Sequence, residues 1–236
     1  MCGICGFTGG GDVHTLDAMM AAMVYRGPDG SGRWSNDKGI YFGHRRLSIV
    51  DPTGGQQPMV TDDGQLVLAF NGEIYNHVDL RRELEGYGYR FSSSHADTEV
   101  VLHGYHRWGA DLVQRLNGMW AFAILDHRDG TLFLSRNRFG KKPLFFAQER
   151  KNFIFSSELA SLQKHPLVNS SLDRDALFSY FAHGYIPAPK SILTGVKKLP
   201  AGHNLTYDLT SGRTKVHRYW RYKPEPDLRW LTREDE

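Results

Sequence analysis

The feature that most limits the fold of this chain is a succession of short apolar runs, each ended by Gly, Asp or Asn turn residues. Runs of this kind favour β-strands, and strands joined by tight turns pair antiparallel. The sequence predicts hairpins that join 119–125 to 131–135 and 143–147 to 153–156, and a last hairpin across 210–213. Further strands are predicted at 2–7, 39–42, 47–50 and 66–70.

Helical segments separate these strands. Helix-forming residues run over 16–24 and stop at the turn Gly27-Pro28, and amphipathic patterns cover 78–84 and 98–108. A capped helix start is predicted at 171–178. This mixture predicts an α+β fold of antiparallel sheets covered by helices, rather than a regular parallel βαβ array.

Composition and charge narrow the functional classes. The 236 residues are 40% apolar and carry a net charge of +3, so the chain can bury a sizeable core but has no electrostatic footprint for nucleic acid or an anionic membrane. Its densest basic cluster, 136–142, is either a phosphate-binding patch or, as general considerations favour, a solvated turn between two strands.

No run approaches the ~20 apolar residues of a membrane span, and the N-terminus lacks the pattern of a signal peptide. With two cysteines only, we expect a reducing, cytoplasmic setting.

Cys2 is the candidate nucleophile. Removal of Met1 would leave a thiol and a free α-amine on one residue, and an ordinary α-amine, with a pKa of about 7.7–8.0, can act as general base near neutral pH. The spacing of Cys2 and Cys5 also fits a zinc or redox C-x-x-C motif, but no second such motif completes a tetrahedral zinc site. Cys5 is therefore predicted to be a small buried apolar residue in a strand.

Several further motifs accompany Cys2 in a fixed order. They are 1–6 (MCGICG), 26–29 (RGPD), 43–51 (GHRRLSIVD), 70–76 (FNGEIYN) and 97–100 (DTEV). Together they resemble the class II glutamine amidotransferase domain, and within that class the glutamine-hydrolysing asparagine synthetases. The likeness continues through 116–122, 135–144, 156–158, 184–189 and 198–203, so it covers practically the whole chain.

The resemblance implies an N-terminal nucleophile hydrolase fold, an αββα sandwich of two antiparallel sheets between helices. It implies an amidotransferase domain over 1–220 and a linker over 221–236 that leads toward a C-terminal ATP-pyrophosphatase synthetase domain. The implied activity is hydrolysis of L-glutamine through a γ-glutamyl thioester, with the ammonia passed to an ATP-dependent amidation. It implies no cofactor and no metal for this chain, ATP and magnesium being expected only for the synthetase domain. A homodimer is compatible with it.

The resemblance also implies residue roles. Cys2 would attack the side-chain amide of glutamine, and Asn71 with the backbone N–H of Gly72 would line the oxyanion hole. Arg46 would hold the α-carboxylate of glutamine, and Asp97 would accept its α-ammonium. The remaining wall of the glutamine site would consist of Leu47, Ser48, Ile49, Val50 and Glu73.

Each of these assignments has an alternative on sequence alone. Asn71-Gly72 is also a type I′ hairpin signal, Arg46 could be a solvated charge or part of an ion pair, and Asp97 precedes a helix where an Asp N-cap is common.

The chain departs from the family pattern in two respects. Tyr25 stands where a histidine is usual, and the sequence contains no Ser-Gly-Gly-x-Asp-Ser nucleotide loop and no Walker or Rossmann glycine pattern. The acceptor of the ammonia therefore stays open, and specialised or polymer-modifying amidotransferases are alternatives to an asparagine synthetase. If Met1 is retained, a non-catalytic glutamine-sensing module is a further alternative.

Overall fold

Two antiparallel six-stranded sheets form the centre of the molecule in a computed structural model, which describes residues 1–48 and 55–224. The strands are β1 (Gly3–Thr8), β2 (Gly30–Ser35), β3 (Ile40–Arg46), β4 (Met59–Val60), β5 (Leu66–Ile74), β6 (Gly118–Asp126), β7 (Thr131–Arg136), β8 (Phe145–Glu149), β9 (Asn152–Ser156), β10 (Val196–Lys198), β11 (His203–Asp208) and β12 (Thr214–Arg218). The first sheet has the order β10-β8-β9-β1-β3-β2, and the second has the order β12-β11-β7-β6-β5-β4.

The outer faces of both sheets are covered by the helices α1 (Val13–Ala21), α2 (His77–Gly86), α3 (Asp97–Trp108), α4 (Leu112–Arg115) and α5 (Leu159–Leu162). A further helix, α6 (Arg174–His183), is mostly exposed. Side chains such as Phe42 and Leu134 fill the space between the sheets. Met19 and Leu162 belong to a core between the first sheet and the helices α1 and α5, whereas the helices α2 to α4 pack on the second sheet. These layers confirm the predicted α+β sandwich. Among the described residues, none of the helices has the length and apolar character needed to cross a membrane.

The three predicted hairpins are confirmed. β6 pairs with β7, β8 with β9, and β11 with β12, all antiparallel. The capped start of α6 is also confirmed, because the Asp173 side chain accepts a hydrogen bond from the Ala176 N–H. These elements depend on local turn and capping chemistry, which a sequence displays directly.

Several predicted boundaries are wrong. The strand predicted at 39–42 continues to Arg46, and Leu47 and Ser48 lie outside any strand, while 49–50 fall outside the described residues. The helix predicted over 16–24 begins at Val13, because Asp12 caps it by accepting from the Thr15 N–H at 2.9 Å. β2 was not predicted, since its alternating exposure reflects an edge strand without a continuous apolar run.

Two local alternatives are also wrong. Asn71 and Gly72 form no turn: they lie within β5, opposite Ala121 and Trp120 of β6. Asp97 is not the N-cap of α3, since the cap position belongs to Ala96. The Asp97 carboxylate instead accepts a hydrogen bond from the Ile74 N–H of β5.

Candidate active site

Cys2 lies immediately before β1, a strand buried along its whole length between β3 and β9. Its side chain is half-buried, and its Sγ lies 3.5 Å from the Leu47 nitrogen and 3.7 Å from the Leu47 carbonyl oxygen. Cys5 is fully buried in the core beneath α1, and burial raises the pKa of its thiol to about 12. The two cysteines therefore occupy different environments, and the prediction of Cys5 as a buried apolar residue is confirmed.

A buried arginine holds the start of the chain. Arg26 Nε donates to the Cys2 carbonyl oxygen at 2.9 Å, and its Nη1 pairs with the Glu158 carboxylate. Because a buried charge is stable only when it is paired and hydrogen-bonded, this arrangement restricts the backbone that carries the candidate nucleophile. Arg26 of the motif 26–29 and Glu158 of the motif 156–158 thus pair with each other beside the Cys2 carbonyl oxygen.

The far wall of the site is the open edge of β5. Among the residues that the structure describes, this edge pairs with β4 at Val67 and Leu68 alone, so the N–H groups farther along it need other partners. Phe70 N–H donates to Gln57 Oε1 at 2.6 Å, and Ile74 N–H donates to Asp97 Oδ2 at 2.9 Å. By the two-residue alternation of an antiparallel strand, the N–H of Gly72 between them faces the same side.

Asn71 brings an amide to this wall. It is 1% exposed, and its Nδ2 has no hydrogen-bond partner within the part of the chain that the structure describes. A buried donor left unpaired costs about 1–3 kcal/mol, so its presence indicates a place for a ligand acceptor.

Asp97 is the first residue of α3 and is 8% exposed. Burial raises the pKa of its carboxyl, while the hydrogen bond from Ile74 and the nearby His77 act in the opposite direction. A cationic group of a ligand would restore the stability that this carboxylate loses by burial.

One cavity of about 400 Å³ joins these groups, a size typical of small-molecule sites. Its lining includes seven of the predicted site residues, namely Cys2, Arg46, Leu47, Asn71, Gly72, Glu73 and Asp97. Ser48 is not among the lining residues, and its N–H instead donates to the Asp29 carboxylate at 2.8 Å. Ile49 and Val50 lie outside the described residues. The roles that the resemblance implies for all of these residues stay predictions.

The cavity also contains side chains that the sequence did not single out. Gln57 connects two walls, because its Oε1 accepts from Phe70 and its Nε2 donates to Thr98 Oγ1 at 3.3 Å. Thr98 and Lys142 belong to motifs that carry the resemblance but had no role assigned. No local sequence pattern distinguishes Gln57, because its hydrogen-bond partners lie on β5 and α3, which are distant from it in sequence.

The basic cluster 136–142 is the predicted turn between two strands, β7 and β8, but it is solvated only in part, since Lys141 is exposed whereas Arg136 and Lys142 are buried. Arg136 is buried, and its guanidinium donates to the carbonyl oxygens of Lys142, Leu199 and Gly140 at 2.6–2.8 Å. Its donors therefore organise the turn rather than face an external phosphate.

Comparison with known proteins agrees with this geometry. The family model of the glutamine amidotransferase domain matches residues 1–220. The chain belongs to this family. The amidotransferase chain is 38% identical over 233 residues to asparagine synthetase (glutamine-hydrolyzing) 3 of Bacillus subtilis, a match that covers 94% of this chain and 37% of the relative. It is 35% identical over 260 residues to a putative asparagine synthetase (glutamine-hydrolyzing) 2 of Methanocaldococcus jannaschii, covering 99% of this chain and 50% of the relative. It thus spans half or less of these relatives.

Solved structures support the fold. The amidotransferase chain superposes on glutamine phosphoribosylpyrophosphate amidotransferase from Bacillus subtilis with a TM-score of 0.68, over 94% of this chain and 50% of the other. The corresponding TM-score for an allosteric regulatory enzyme of purine biosynthesis is 0.72 over the same shares. Both are 19% identical in sequence, so they bear on the architecture alone. The chain is a class II glutamine amidotransferase domain of the asparagine synthetase type, with the N-terminal nucleophile hydrolase fold.

Proposed function

We propose that this domain hydrolyses L-glutamine to L-glutamate and ammonia through a thioester on Cys2. The observation that carries the proposal is the Nδ2 of Asn71, a buried donor that has no hydrogen-bond partner among the described residues and lies in the same cavity as the Cys2 thiol. A preorganised donor beside a nucleophile is the arrangement that stabilises the oxyanion of acyl transfer. The Gly72 N–H on the same side of β5 provides the second donor.

The α-carboxylate and α-ammonium of glutamine bind to cavity side chains of opposite charge. The Arg46 guanidinium receives the α-carboxylate, a task that its planar fork performs better than a lysine ammonium. The buried Asp97 carboxylate receives the α-ammonium, which offsets its desolvation. This orientation directs the side-chain amide toward Cys2 and Asn71.

The reaction needs the free amine of Cys2, so Met1 is removed before turnover. The amine takes the thiol proton as the sulfur bonds to the amide carbon, and the carbonyl oxygen becomes the oxyanion held by Asn71 and Gly72. As the carbon–nitrogen bond breaks, the amine returns the proton to the departing nitrogen and ammonia leaves. Water then attacks the thioester, giving up one proton to the amine, which restores the thiol.

The ammonia supplies an ATP-dependent amidation by a synthetase module of the asparagine synthetase type. The printed names of the related proteins support this choice of partner, since they are glutamine-hydrolysing asparagine synthetases of greater length.

The test uses protein whose loss of Met1 is verified by intact mass. We expect Cys2→Ala to abolish glutamate release while Cys5→Ala, which removes the same sulfur from a buried site, keeps most of it. Both variants should unfold at denaturant concentrations similar to that of the wild type. Where they do not, the rates of glutamate release are corrected for the difference in stability. Glutamate release at the wild-type rate by Cys2→Ala would refute the mechanism. Quantitative retention of Met1 together with glutamine binding but no turnover would favour the glutamine-sensing alternative.

A further inference from the structure

Gln57 connects the two sheets at the wall of the cavity that contains Cys2. Its main chain packs so closely on β2 of the first sheet that a Cβ at Gly32 would collide with the Gln57 carbonyl oxygen. The residue is 9% exposed, and its side chain reaches β5 of the second sheet, where Oε1 accepts from the Phe70 N–H at 2.6 Å. Because its main chain is held against the first sheet, this side chain restricts where β5 can lie.

Phe70 has both of its backbone groups held by side chains from outside the second sheet. Its N–H donates to Gln57, and its carbonyl oxygen accepts from His44 Nε2 of β3 at 3.2 Å. These groups face the open edge of β5, where a neighbouring strand would otherwise supply the hydrogen bonds. The two side chains therefore take the place of a strand at Phe70, two residues before the N–H of Gly72.

The second hydrogen bond of Gln57 reaches the start of α3. Its Nε2 donates to Thr98 Oγ1 at 3.3 Å, and Thr98 follows Asp97, whose carboxylate accepts from the Ile74 N–H at 2.9 Å. Hydrogen bonds to Gln57 and Asp97 thus fix β5 on both sides of the Gly72 N–H. A glutamine suits this place, because one neutral amide accepts from β5 and donates to α3 without adding a charge to the cavity.

We propose that Gln57 is a positioning residue for the glutaminase reaction, holding the open edge of β5 where the Gly72 N–H and the Asn71 amide meet the oxyanion. This role rests on the proposed function. The oxyanion forms only as the thiol attacks, whereas Arg46 and Asp97 bind the head group of glutamine in the ground state. Loss of the Gln57 amide should therefore lower kcat and leave KM nearly unchanged.

The test compares Gln57→Met, which keeps the length of the side chain but neither hydrogen bond, with Thr98→Val, which breaks only the connection to α3. We expect Gln57→Met to lower kcat for glutamate release by about 5- to 20-fold, less than the ~10²–10³ lost with an oxyanion donor itself, and to keep KM within about 2-fold. Thr98→Val should lower kcat by only about 2- to 3-fold, because Gln57 still accepts from β5.

Gln148→Met is the matched control. It makes the same change at an exposed glutamine, whose Nε2 donates to the carbonyl oxygens of Arg150 and Gly212 outside the cavity. We expect wild-type values of kcat and KM for this variant.

A second readout does not depend on turnover. Amide hydrogen exchange, followed by mass spectrometry, measures local opening of the β5 backbone. In Gln57→Met the Phe70 N–H loses its acceptor, so we expect exchange within 66–74 to be about 3- to 10-fold faster, the factor that one net hydrogen bond represents. Exchange within β7 of the same sheet should keep its wild-type rate.

An unchanged kcat in Gln57→Met would overturn the inference, and so would a rise in KM alone. Exchange that is accelerated equally in β5 and β7 would show a general loss of stability and would also overturn it. If Thr98→Val lowered kcat as much as Gln57→Met, the effect would belong to α3 and not to the edge of β5. A wild-type protein that releases no glutamate would refute the proposed function, while faster exchange confined to β5 in Gln57→Met would still support the hold of Gln57 on that strand.

Discussion

Asn71 and Asp97 are two buried polar residues of one cavity with opposite hydrogen-bonding states. The amide nitrogen of Asn71 has no partner among the described residues, whereas the Asp97 carboxylate already accepts the N–H of Ile74. An unpaired buried donor gains most when a strong acceptor forms beside it, and a buried carboxylate gains most from a cation that is present in the ground state. The two residues should therefore affect different kinetic constants.

We predict that Asn71→Ala lowers kcat by about 10²–10³ with little change in KM, because its donor matters most when the oxyanion forms. Asp97→Asn should instead raise KM by about 10- to 100-fold, since it removes a charge-assisted hydrogen bond worth ~1.5–3 kcal/mol but keeps an acceptor for Ile74. Steady-state glutamate release measures both, and each variant is the control for the other. An effect of Asn71→Ala on KM alone would contradict the oxyanion assignment.

At the scale of elements, the site depends on how closely β5 approaches β6. Gly72 lies opposite Trp120, and a Cβ there would collide with the Met119 carbonyl oxygen and lie 2.7 Å from the Phe70 ring. Glycine is required because the strand that carries the proposed oxyanion donors can keep its register only if nothing fills this space. The motif around residues 116–122 thus supports the site through its backbone.

We predict that Gly72→Ala lowers the free energy of unfolding by about 1–3 kcal/mol, the usual cost of overpacking, and reduces kcat as β5 shifts. The matched control is Gly86→Ala at the end of α2, where an added Cβ meets no atom within 4 Å. Alanine is the better helix former, so this control should be neutral or gain up to ~1 kcal/mol. Denaturant unfolding measures both variants, and equal stability of the two would contradict the close approach.

At the scale of the whole molecule, stacking the two sheets brings the candidate nucleophile Cys2 into one cavity with Asn71 and Gly72. Cys2 precedes β1 in the first sheet, and Asn71 and Gly72 lie on β5 in the second. His44 of β3 joins the sheets, because its Nε2 donates to the Phe70 carbonyl oxygen at 3.2 Å, and burial lowers the pKa of this histidine to about 4. A neutral imidazole can therefore hold the two layers together near neutral pH without a buried charge.

We predict that this chain, freed of Met1, releases glutamate from glutamine without ATP or magnesium and forms no asparagine from aspartate. Thiol attack uses only groups of the cavity, whereas activation of a carboxylate needs a phosphate-binding loop, and the sequence from Met1 to Glu236 contains no such pattern. A glutamate assay with and without ATP, beside amino-acid analysis for asparagine, measures both outcomes. Asparagine formation, or an absolute need for ATP, would contradict the prediction.

The sequence by itself determined the hairpins, most helices and the family. Turn residues and the Asp173 cap act over a few positions, so their signals are complete within a short window. The ordered motifs also identified seven residues that line the cavity. The domain boundary at residue 220 stays a prediction.

Only the tertiary structure decided what those residues contact. Asn71-Gly72 is a turn signal locally, but it becomes strand because nine consecutive residues of β5 pair with β6. Asp97 has the local context of a helix cap, but the open edge of β5 supplies its partner, the Ile74 N–H. Gln57 carries no local sequence signal of its place in the cavity, because its hydrogen-bond partners Phe70 and Thr98 lie far from it in the chain. Burial and long-range hydrogen bonds outweigh local preferences wherever two layers meet, and the candidate active site lies at such a place.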